Sequence, residues 1–339
     1  HAVEIVENYM DEDIDLILAV GAGTIHDISR YIAFQYKIPF ISVPTAASVD
    51  GFVSTIAAMN WNGMKTTVQA QPPIAVFADT GIFAHAPERL TASGVSNLLG
   101  KYICLADWKI EHIITGEYIC EEIIELEEKI LKTVRSCLRD IAEGDEPACE
   151  KLMYGLIFSG LAAQMAGNSG PSFSAEHHLL QLWEMEVING RQEALYGEKI
   201  SVATMLVIQE YKRIAAAIRE GRCRVRSYPE DVSILIKKTF GNKDVFEKIN
   251  KENQPDPLEG INPARLEECL TEIADVIDEL PQEEELLQAM KKAGCKYSVY
   301  DIGLTDEIIS LSLKLAPCVS RRLSLLRISK MLEIEGESL

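Results

Sequence analysis

The sequence predicts an α/β domain over residues 1–86 followed by an all-helical domain over residues 87–339. Short, continuously apolar segments bounded by Gly or Pro flank an amphipathic helix in the first part, as in a parallel βαβ unit. After residue 86 these segments give way to long patterns of helical period, which Pro and Gly separate. A chain of 339 residues is also long enough for two domains with a large core.

The first predicted strand is the apolar run at residues 14–20, which indicates a strand buried on both faces. A glycine-containing turn, Gly21–Thr24, then leads into a helical pattern that continues through Tyr36. The apolar run Ile38–Val43 predicts a second strand, which Pro44 ends. Because a helix connects the two strands, we expect them to pair in parallel.

The following segment indicates a β-hairpin, with strands at residues 52–59 and 64–69 and a turn at residues 60–63. Residues 74–78 predict one further strand before Asp79. The sequence begins without Met, and an α/β nucleotide domain would normally have strands before residue 14. We therefore expect the N-terminal part of this domain to be missing before His1, so that the domain is truncated.

The second part of the chain predicts ten amphipathic helices, at residues 88–112, 117–141, 146–166, 174–186, 197–217, 229–239, 263–279, 283–293, 305–315 and 317–333. Residues 241–262 are rich in Asn, Lys, Pro and Asp, which predicts a surface excursion. Because the linker near residue 86 is short, we expect the two domains to meet at a cleft that binds a ligand.

The composition excludes several classes of protein. The net charge of −19 would repel a phosphate backbone, so a nucleic-acid partner is not expected. None of the eight cysteines forms a CxxC pair, which is typical of reduced thiols in a cytoplasmic protein. We expect no membrane span, because no apolar run reaches about 18 residues, and no secretory signal, because the chain opens on an acidic amphipathic segment, His1 to Asp13. The oligomeric state, including a homo-oligomer, stays open.

Two turns that follow predicted strands indicate a phosphate site. In Gly21–Thr24, glycine lets the backbone approach a pyrophosphate, and the N-terminus of the next helix supplies N–H donors. The turn is not a GxGxxG fingerprint, since Asp27 stands where a third glycine would come. Residues 42–51 place small hydroxyl side chains and then Asp50 after the second strand, at the edge where open α/β sheets bind ligands. The alternative is a structural turn capped by these polar residues.

Several motifs in the same order resemble the bacterial and archaeal sn-glycerol-1-phosphate dehydrogenases. The likeness lies in residues 21–31, 44–51, 62–65, 78–80, 93–101, 174–178, 196–199 and 316–322. The parent superfamily comprises the iron-dependent alcohol dehydrogenases, glycerol dehydrogenase and dehydroquinate synthase. The resemblance implies a dehydroquinate synthase-like fold, with an N-terminal Rossmann-like domain and a C-terminal helical domain that contributes metal and substrate residues.

The resemblance also implies a chemistry, which is hydride transfer between NAD(P) and the secondary alcohol of a polyol phosphate such as glycerol 1-phosphate. The implied cofactor-binding residues are Gly21, Ala22, Gly23, Thr24, Ile25, Thr45, Ala46, Ala47, Ser48 and Ser54. The implied catalytic and substrate-binding residues are Asp50, Lys101, His177 and Tyr196. The partner is accordingly a small phosphorylated polyol or its ketone.

The family's metal site is altered in this chain. Of the one Asp and two His that hold a divalent metal in the family, the matching positions here carry Asn97, His177 and Tyr196. A further His, four residues past His177, is Gln181. Asn lacks the charge of Asp, and the phenol of Tyr is protonated at neutral pH, so binding of Zn²⁺, Ni²⁺ or Fe²⁺ should be weakened. A divalent metal remains an open expectation, with tight binding the less favoured outcome.

Three interpretations remain open. The first is an active NAD(P)-dependent dehydrogenase with a weak or altered metal site. The second is a paralogue that binds the nucleotide but lacks metal-dependent dehydrogenase activity. The third is a metal-free enzyme in which Tyr196 or Lys101 transfers the proton.

Overall fold

The computed structural model describes residues 2–61, 64–241 and 245–336, with the side chains of residues 60–66 left outside the description. The hairpin turn predicted at residues 60–63 therefore lies partly outside the described residues. The chain divides into two compact units. Unit 1 comprises His1–Leu99, Glu122–Ser169 and Ala289–Cys295, and unit 2 comprises Gly100–Glu121, Gly170–Gln288 and Lys296–Leu339. The domain boundary predicted at residue 86 stays a prediction.

The strands of unit 1 form a parallel sheet and a separate hairpin. They are β1 (Ile17–Gly21), β2 (Phe40–Pro44), β3 (Ile56–Trp61), β4 (Met64–Gln69) and β5 (Ala75–Val76). The sheet has the order β1-β2-β5, and its register pairs Gly21 with Pro44, so that the carboxyl ends of β1 and β2 lie side by side. Strands β3 and β4 are antiparallel. The predicted βαβ unit and hairpin are both confirmed.

The helices of unit 1 begin with α1 (Ala2–Glu7), α2 (Gly23–Tyr36), α3 (Thr80–Phe83) and α4 (Glu88–Leu99). They continue along the chain as α5 (Lys101–Thr115), α6 (Glu121–Arg135), α7 (Leu138–Ala142), α8 (Glu146–Ala166), α9 (Ala175–Glu184), α10 (Tyr196–Arg219), α11 (Ser233–Phe240), α12 (Phe246–Glu252), α13 (Pro263–Asp278), α14 (Glu283–Lys292), α15 (Glu307–Leu315) and α16 (Leu325–Ile328). Of these, α6 and α14 each cross from one unit to the other, α7 and α8 belong to unit 1, and the rest belong to unit 2.

Helix α2 joins the two sheets of unit 1. Its buried Ala33 packs with Ala19 of β1 and Phe40 of β2, while Ile32 packs with the hairpin through Ala57. Burying side chains of the size of Phe40 contributes roughly 1.5–3 kcal/mol each. The helix ends at Lys37, whose φ of 56° is left-handed and directs the chain into β2.

One face of β1 differs from the prediction. Ala19 is fully buried, but Leu18 and Val20 are 59% and 56% exposed. Side chains alternate across a strand, so these two residues share one face, and nothing in the described part of the chain covers that face. The expectation that β1 is buried on both sides was therefore wrong.

Unit 2 is built around α10, a helix of 24 residues whose inner face is almost entirely buried. Helices α5, α9 and α13 pack beside it. An antiparallel pair, β6 (Cys223–Val225) and β7 (Leu332–Ile334), completes the unit. This pair was not predicted.

The helix predicted at residues 317–333 was wrong. Residues 317–333 do not form one helix but a 3₁₀ turn, the short α16, a second 3₁₀ turn and β7. The predicted surface excursion at 241–262 is mostly exposed or half-buried in its described residues, and it is anchored by Ile249 of α12 and by Leu258 in a 3₁₀ turn, both of which are buried. Within the described residues, no helix combines the length and apolar content that a membrane span requires.

Candidate nucleotide site and candidate catalytic centre

The glycine turn of unit 1 lies between the carboxyl end of β1 and the N-terminus of α2. Gly21 has a φ of +155°, and a Cβ there would lie 2.8 Å from Cγ1 of Ile25, so both backbone and packing favour glycine. Ala22 occupies the N-cap of α2 and provides no side-chain cap. The first N–H groups of a helix lack intrahelical partners, so this uncapped end offers donors to an anion.

The second predicted loop is bonded directly to the first. The backbone N–H of Thr45 donates to the carbonyl of Gly21 over 3.1 Å. Thr24 and Ile25 are exposed, whereas Ala46, Ala47 and Ser48 are buried. The structure thus brings both predicted cofactor segments together at one sheet edge. Their role in binding a nucleotide stays a prediction.

Helix α4 packs against the backbone of this second loop, at Ala47 and Ser48. The Ser93 hydroxyl donates to the carbonyl of Ser48 over 3.2 Å. A Cβ on Gly94 would lie only 1.9 Å from the carbonyl oxygen of Ala47, so only glycine permits this approach of helix and loop. Sequence reasoning matched this segment to a motif but did not foresee that its glycine fits against the loop.

Arg30 is a positioning residue that the sequence did not reveal. Its fully buried guanidinium donates to the carbonyls of Gly51 and Ser54, the latter over 2.7 Å, and it also pairs with Asp27 at 3.5 Å. Through these bonds α2 fixes the 3₁₀ turn at Gly51–Val53 that follows Asp50. The sequence could not predict this role, because the two carbonyls that Arg30 binds lie more than 20 residues away along the chain.

Asp50 lies half-buried at the start of that turn. Ser159 of α8 donates to Asp50 Oδ2 at 3.5 Å. A Cβ on Gly160 would come within 2.4 Å of the Asp50 carbonyl, so α8 also approaches this backbone closely. Ser54 uses its hydroxyl locally, donating to the Ile56 carbonyl and accepting from the Ile56 N–H. That engagement gives Ser54 a structural role beside the predicted cofactor role.

Asn97, the predicted metal position of unit 1, lies on α4 and is fully buried. Neither Oδ1 nor Nδ2 has a hydrogen-bond partner within the described residues. A buried amide without partners costs roughly 1–3 kcal/mol, which a polar ligand would recover. The carboxamide is therefore a candidate contact for a bound polar group.

His177 and Tyr196, the two predicted residues of unit 2, are directly hydrogen-bonded. His177 Nε2 lies 2.6 Å from the Tyr196 hydroxyl, and His177 Nδ1 lies 2.7 Å from Glu176 Oε1. Because Glu176 accepts, the proton belongs on Nδ1, and Nε2 then accepts from the Tyr196 hydroxyl. Three side chains from α9 and the start of α10 thus form one hydrogen-bonded chain.

The local sequence explains how Tyr196 is held. It is the first residue of α10, and the Glu198 carboxylate accepts from the Leu195 N–H at 2.7 Å, capping the helix. Lys199 pairs with Glu184 of α9 at 3.2 Å, which ties the two helices together. The Tyr196 ring is half-buried, in contrast to the buried His177.

Cys104 and Glu176 belong to this cluster but were not predicted. The Cys104 thiol donates to Glu176 Oε1 at 2.8 Å, and both side chains are fully buried. Burial raises the pKa of the Cys104 thiol well above its usual range, and the Glu176 carboxylate raises it further, so the sulfur stays protonated. Glu176 was visible beside His177, but an acid in the first turn of a helix has an ordinary structural explanation.

Lys101, the remaining predicted catalytic residue, is fully buried at the start of α5. Its ammonium donates to the carbonyl of Ser172 at 3.3 Å, in the segment that precedes α9. It lies three residues before Cys104 and therefore on the same side of the helix. Its role in binding phosphate or transferring a proton stays a prediction.

His178 is fully buried, with neither ring nitrogen bonded to a described residue. Burial and then the neighbouring His177 lower its pKa to about 3, so the ring is neutral. Phe173 packs between the two histidine rings, with centroids 5.1 Å from His177 and 5.3 Å from His178. This packing limits how far the imidazole of His177 can turn.

The residues of unit 2 do not fit a tetrahedral metal centre in their present arrangement. Cys104, Glu176 and His177 provide three potential ligand atoms within 4.8 Å of one another. Atoms that share one such metal, with bonds of about 2.0–2.3 Å, lie about 3.4 Å or more apart. Glu176 Oε1 lies only 2.8 Å from Cys104 Sγ and 2.7 Å from His177 Nδ1, and both contacts are hydrogen bonds instead. These atoms therefore pair with one another, whereas Glu176 Oε2 is buried without a partner among the described residues.

The parallel sheet and the helices that follow it define a fold found in known proteins. Residues 1–87 match the family model described as iron-containing alcohol dehydrogenase. Glycerol dehydrogenase from Schizosaccharomyces pombe superposes with a TM-score of 0.52 over 95% of this chain and 78% of its own, at 17% identity. The chain thus has the fold of the iron-containing alcohol dehydrogenases.

Sequence comparison defines the family more closely. Glycerol-1-phosphate dehydrogenase [NAD(P)+] of Geobacillus stearothermophilus is 34% identical over 305 residues, covering 89% of this chain and 68% of the relative. The protein of the same name from Halalkalibacterium halodurans is 31% identical over 316 residues, covering 93% and 71%. The chain belongs to the family of NAD(P)-dependent glycerol-1-phosphate dehydrogenases. The family resemblance and the predicted fold class are confirmed.

Proposed function

We propose that this chain is an NAD(P)-dependent dehydrogenase that interconverts the secondary alcohol of glycerol 1-phosphate, or a closely similar polyol phosphate, and its ketone. Family membership supports the reaction class. The observation that carries the proposal is the uncapped N-terminus of α2, bonded through Gly21 to the Thr45 loop. A bound nicotinamide would accept or supply the hydride. Residues 21–25, 45–48 and Ser54 would hold it, with backbone N–H groups directed at the phosphates.

The substrate side of the proposal rests on Asp50 and Asn97. Asp50 is held at a defined position by the Arg30-braced turn and by Ser159 of α8, as a substrate-binding carboxylate must be. Asn97 offers a buried carboxamide, which would bind a substrate hydroxyl. Lys101 would provide positive charge for the phosphate group.

The function is tested by following reduction of dihydroxyacetone phosphate with NADH and with NADPH. We expect turnover with at least one nucleotide. Nucleotide binding is measured separately by calorimetry. Absence of both turnover and binding, with either nucleotide and with Zn²⁺ or Ni²⁺ added, would overturn the proposal. Binding without turnover would favour the nucleotide-binding paralogue.

The nucleotide site makes a prediction of its own. In Thr24→Asp, a negative charge is placed at the exposed second position of α2, where it stabilises the helix but repels a diphosphate. We expect the Kd for NAD(P) to rise about tenfold or more. Thr305→Asp places the same charge on an exposed residue just before α15 and should leave the Kd unchanged. If both variants raised the Kd equally, or if neither raised it, the proposed nucleotide site would be wrong.

We further propose that the protein is cytoplasmic and acts on a small phosphorylated molecule as a homo-oligomer. The location is supported by the cysteines, all of which are free and all but Cys120 buried. The oligomeric state is tested by light scattering of the purified protein.

A further inference from the structure

We infer that Tyr196, His177 and Glu176 form a proton relay that acts in place of the family's metal in this chain. The inference rests on the proposed dehydrogenase function. It assigns Tyr196 as the group that exchanges a proton with the substrate oxygen. His177 is the group behind Tyr196 that stores this proton, and Glu176 is a positioning residue.

The geometry gives each member one role. The Tyr196 hydroxyl donates to His177 Nε2 at 2.6 Å, and His177 Nδ1 donates to Glu176 Oε1 at 2.7 Å. Glu176 is fully buried and His177 nearly so, whereas Tyr196 is half-buried. A relay needs this gradient, because only its outer member has to reach a substrate. Catalytic triads use the same order of groups, in which a hydroxyl is hydrogen-bonded to a histidine and a carboxylate orients that histidine.

The cluster also fixes the histidine tautomer. Glu176 Oε1 accepts from both the Cys104 thiol and His177 Nδ1. The Cys104 thiol is a second donor, 2.8 Å from Oε1, that holds the carboxylate in place. With the proton held on Nδ1, Nε2 presents its lone pair to Tyr196. Phe173 restricts the ring further by packing 5.1 Å from it.

Oxidation of the substrate alcohol releases one proton and one hydride, and a bound nicotinamide would accept the hydride. In alcohol oxidation, the substrate O–H proton passes to the Tyr196 oxygen while the Tyr196 proton passes to His177 Nε2. As the C–H bond breaks and the C=O bond forms, the hydride would go to an oxidised nicotinamide, which residues 21–25 and 45–48 would hold. The resulting imidazolium lies against the Glu176 carboxylate. In reduction of the ketone, the same proton returns through Tyr196 to the substrate oxygen.

Position on α10 favours this role for Tyr196. As the first residue of a 24-residue helix, it lies where the helix dipole is positive. Negative charge that develops on the phenol or on a substrate oxygen is stabilised there. A metal is not needed to stabilise charge where a proton donor and a helix terminus act together.

Three variants test the relay by steady-state kinetics after exhaustive dialysis against EDTA. We expect Tyr196→Phe to lower kcat by about 10²–10⁴-fold while its Kd for the nucleotide stays at the wild-type value. Glu176→Gln keeps an amide oxygen that accepts from Nδ1 but removes the negative charge beside the imidazolium, so kcat should fall by about tenfold or more. Tyr228→Phe, an exposed tyrosine of the same unit, is the matched control and should keep wild-type kcat.

A second measurement does not depend on turnover. The ¹⁵N NMR shifts of His177 should report a proton on Nδ1 and a proton-free Nε2 in the wild type. The reverse assignment in the wild type would overturn the relay.

The kinetic outcomes separate the relay from the function on which it rests. If the wild type turns over but loses activity in EDTA and regains it with Zn²⁺ or Ni²⁺, the relay is wrong and the proposed function stands. The same conclusion follows if Tyr196→Phe keeps full activity. If the wild type shows neither turnover nor nucleotide binding, the proposed function fails, and the relay fails with it.

Discussion

Asp107 is a buried carboxyl group that joins three elements of unit 2. It accepts from the Tyr211 hydroxyl of α10 at 2.8 Å, from the Leu325 N–H of α16 at 2.8 Å and from the Ser174 hydroxyl before α9. Ser174 is separated from His177 by only two residues, so this network sets where α9 begins. A single residue of α5 therefore contributes to the position of the proposed relay without touching a substrate.

Asp107 also predicts how stability depends on pH. Burial raises its pKa to about 7, against the hydrogen bonds that lower it. Because the folded pKa lies above the ordinary value of 3.8, the protonated form favours folding. That contribution is fully present below about pH 4 and is lost as the pH rises towards 7. Ionisation of a buried carboxyl in the folded state thus destabilises the protein around neutrality.

Asp107→Asn should flatten this part of the pH profile. The amide is neutral, accepts at Oδ1 and can donate to the Ser174 hydroxyl. We expect the loss in free energy of unfolding between pH 5 and 7.5 to shrink by about 1 kcal/mol or more relative to wild type. Urea unfolding at several pH values measures it. Asp140→Asn, at an exposed position, is the control, and parallel profiles for wild type and Asp107→Asn would contradict the prediction.

At the scale of elements, the contact between α4 and the Thr45–Ser48 loop is one that requires glycine. In Gly94→Ala, the new Cβ would lie 1.9 Å from the Ala47 carbonyl oxygen and 2.8 Å from its carbon, so backbone must move. We expect a loss of about 1–3 kcal/mol or more in the free energy of unfolding. Because the displaced loop carries predicted cofactor residues, nucleotide affinity should fall as well.

The matched control is Gly260→Ala, where nothing lies within 4 Å of the new Cβ. It should leave stability within about 0.5 kcal/mol or raise it slightly. Urea unfolding and calorimetric titration with NAD(P) compare the two variants. A Gly94→Ala protein as stable as Gly260→Ala, with unchanged nucleotide affinity, would show that the loop is free to move away.

The elements also show how far sequence could predict this molecule. Hydrophobic runs ending in Gly21 and Pro44 were enough to predict parallel strands with adjacent carboxyl ends, because a βαβ connection leaves little choice. The helix expected at 317–333 was wrong, since periodicity could not reveal that Leu332–Ile334 pairs with a strand about a hundred residues earlier. Cys104 and Glu176 were missed for the same reason, as their hydrogen bond joins residues separated by 72 positions.

At the scale of the whole molecule, two features determine how the stability of the folded state responds to ions, namely the net charge of −19 and the altered metal positions. With 33 basic against 52 acidic residues, self-repulsion destabilises the compact state, and salt screens it. A specifically bound metal would act differently, because it stabilises the folded state by mass action at micromolar concentration. At one hundred times its Kd, a bound ligand contributes about 2.7 kcal/mol.

We therefore expect Tm to rise when NaCl is increased from about 10 to 150 mM, since the Debye length shortens from roughly 30 to 8 Å. Micromolar Zn²⁺ or Ni²⁺ should not raise Tm further, because Cys104 Sγ, Glu176 Oε1, both ring nitrogens of His177 and the Tyr196 hydroxyl already pair with one another. Differential scanning calorimetry after EDTA dialysis measures both effects. A rise of several degrees with micromolar metal at constant ionic strength would show that these side chains rearrange into a metal centre, and the relay would then have to be abandoned.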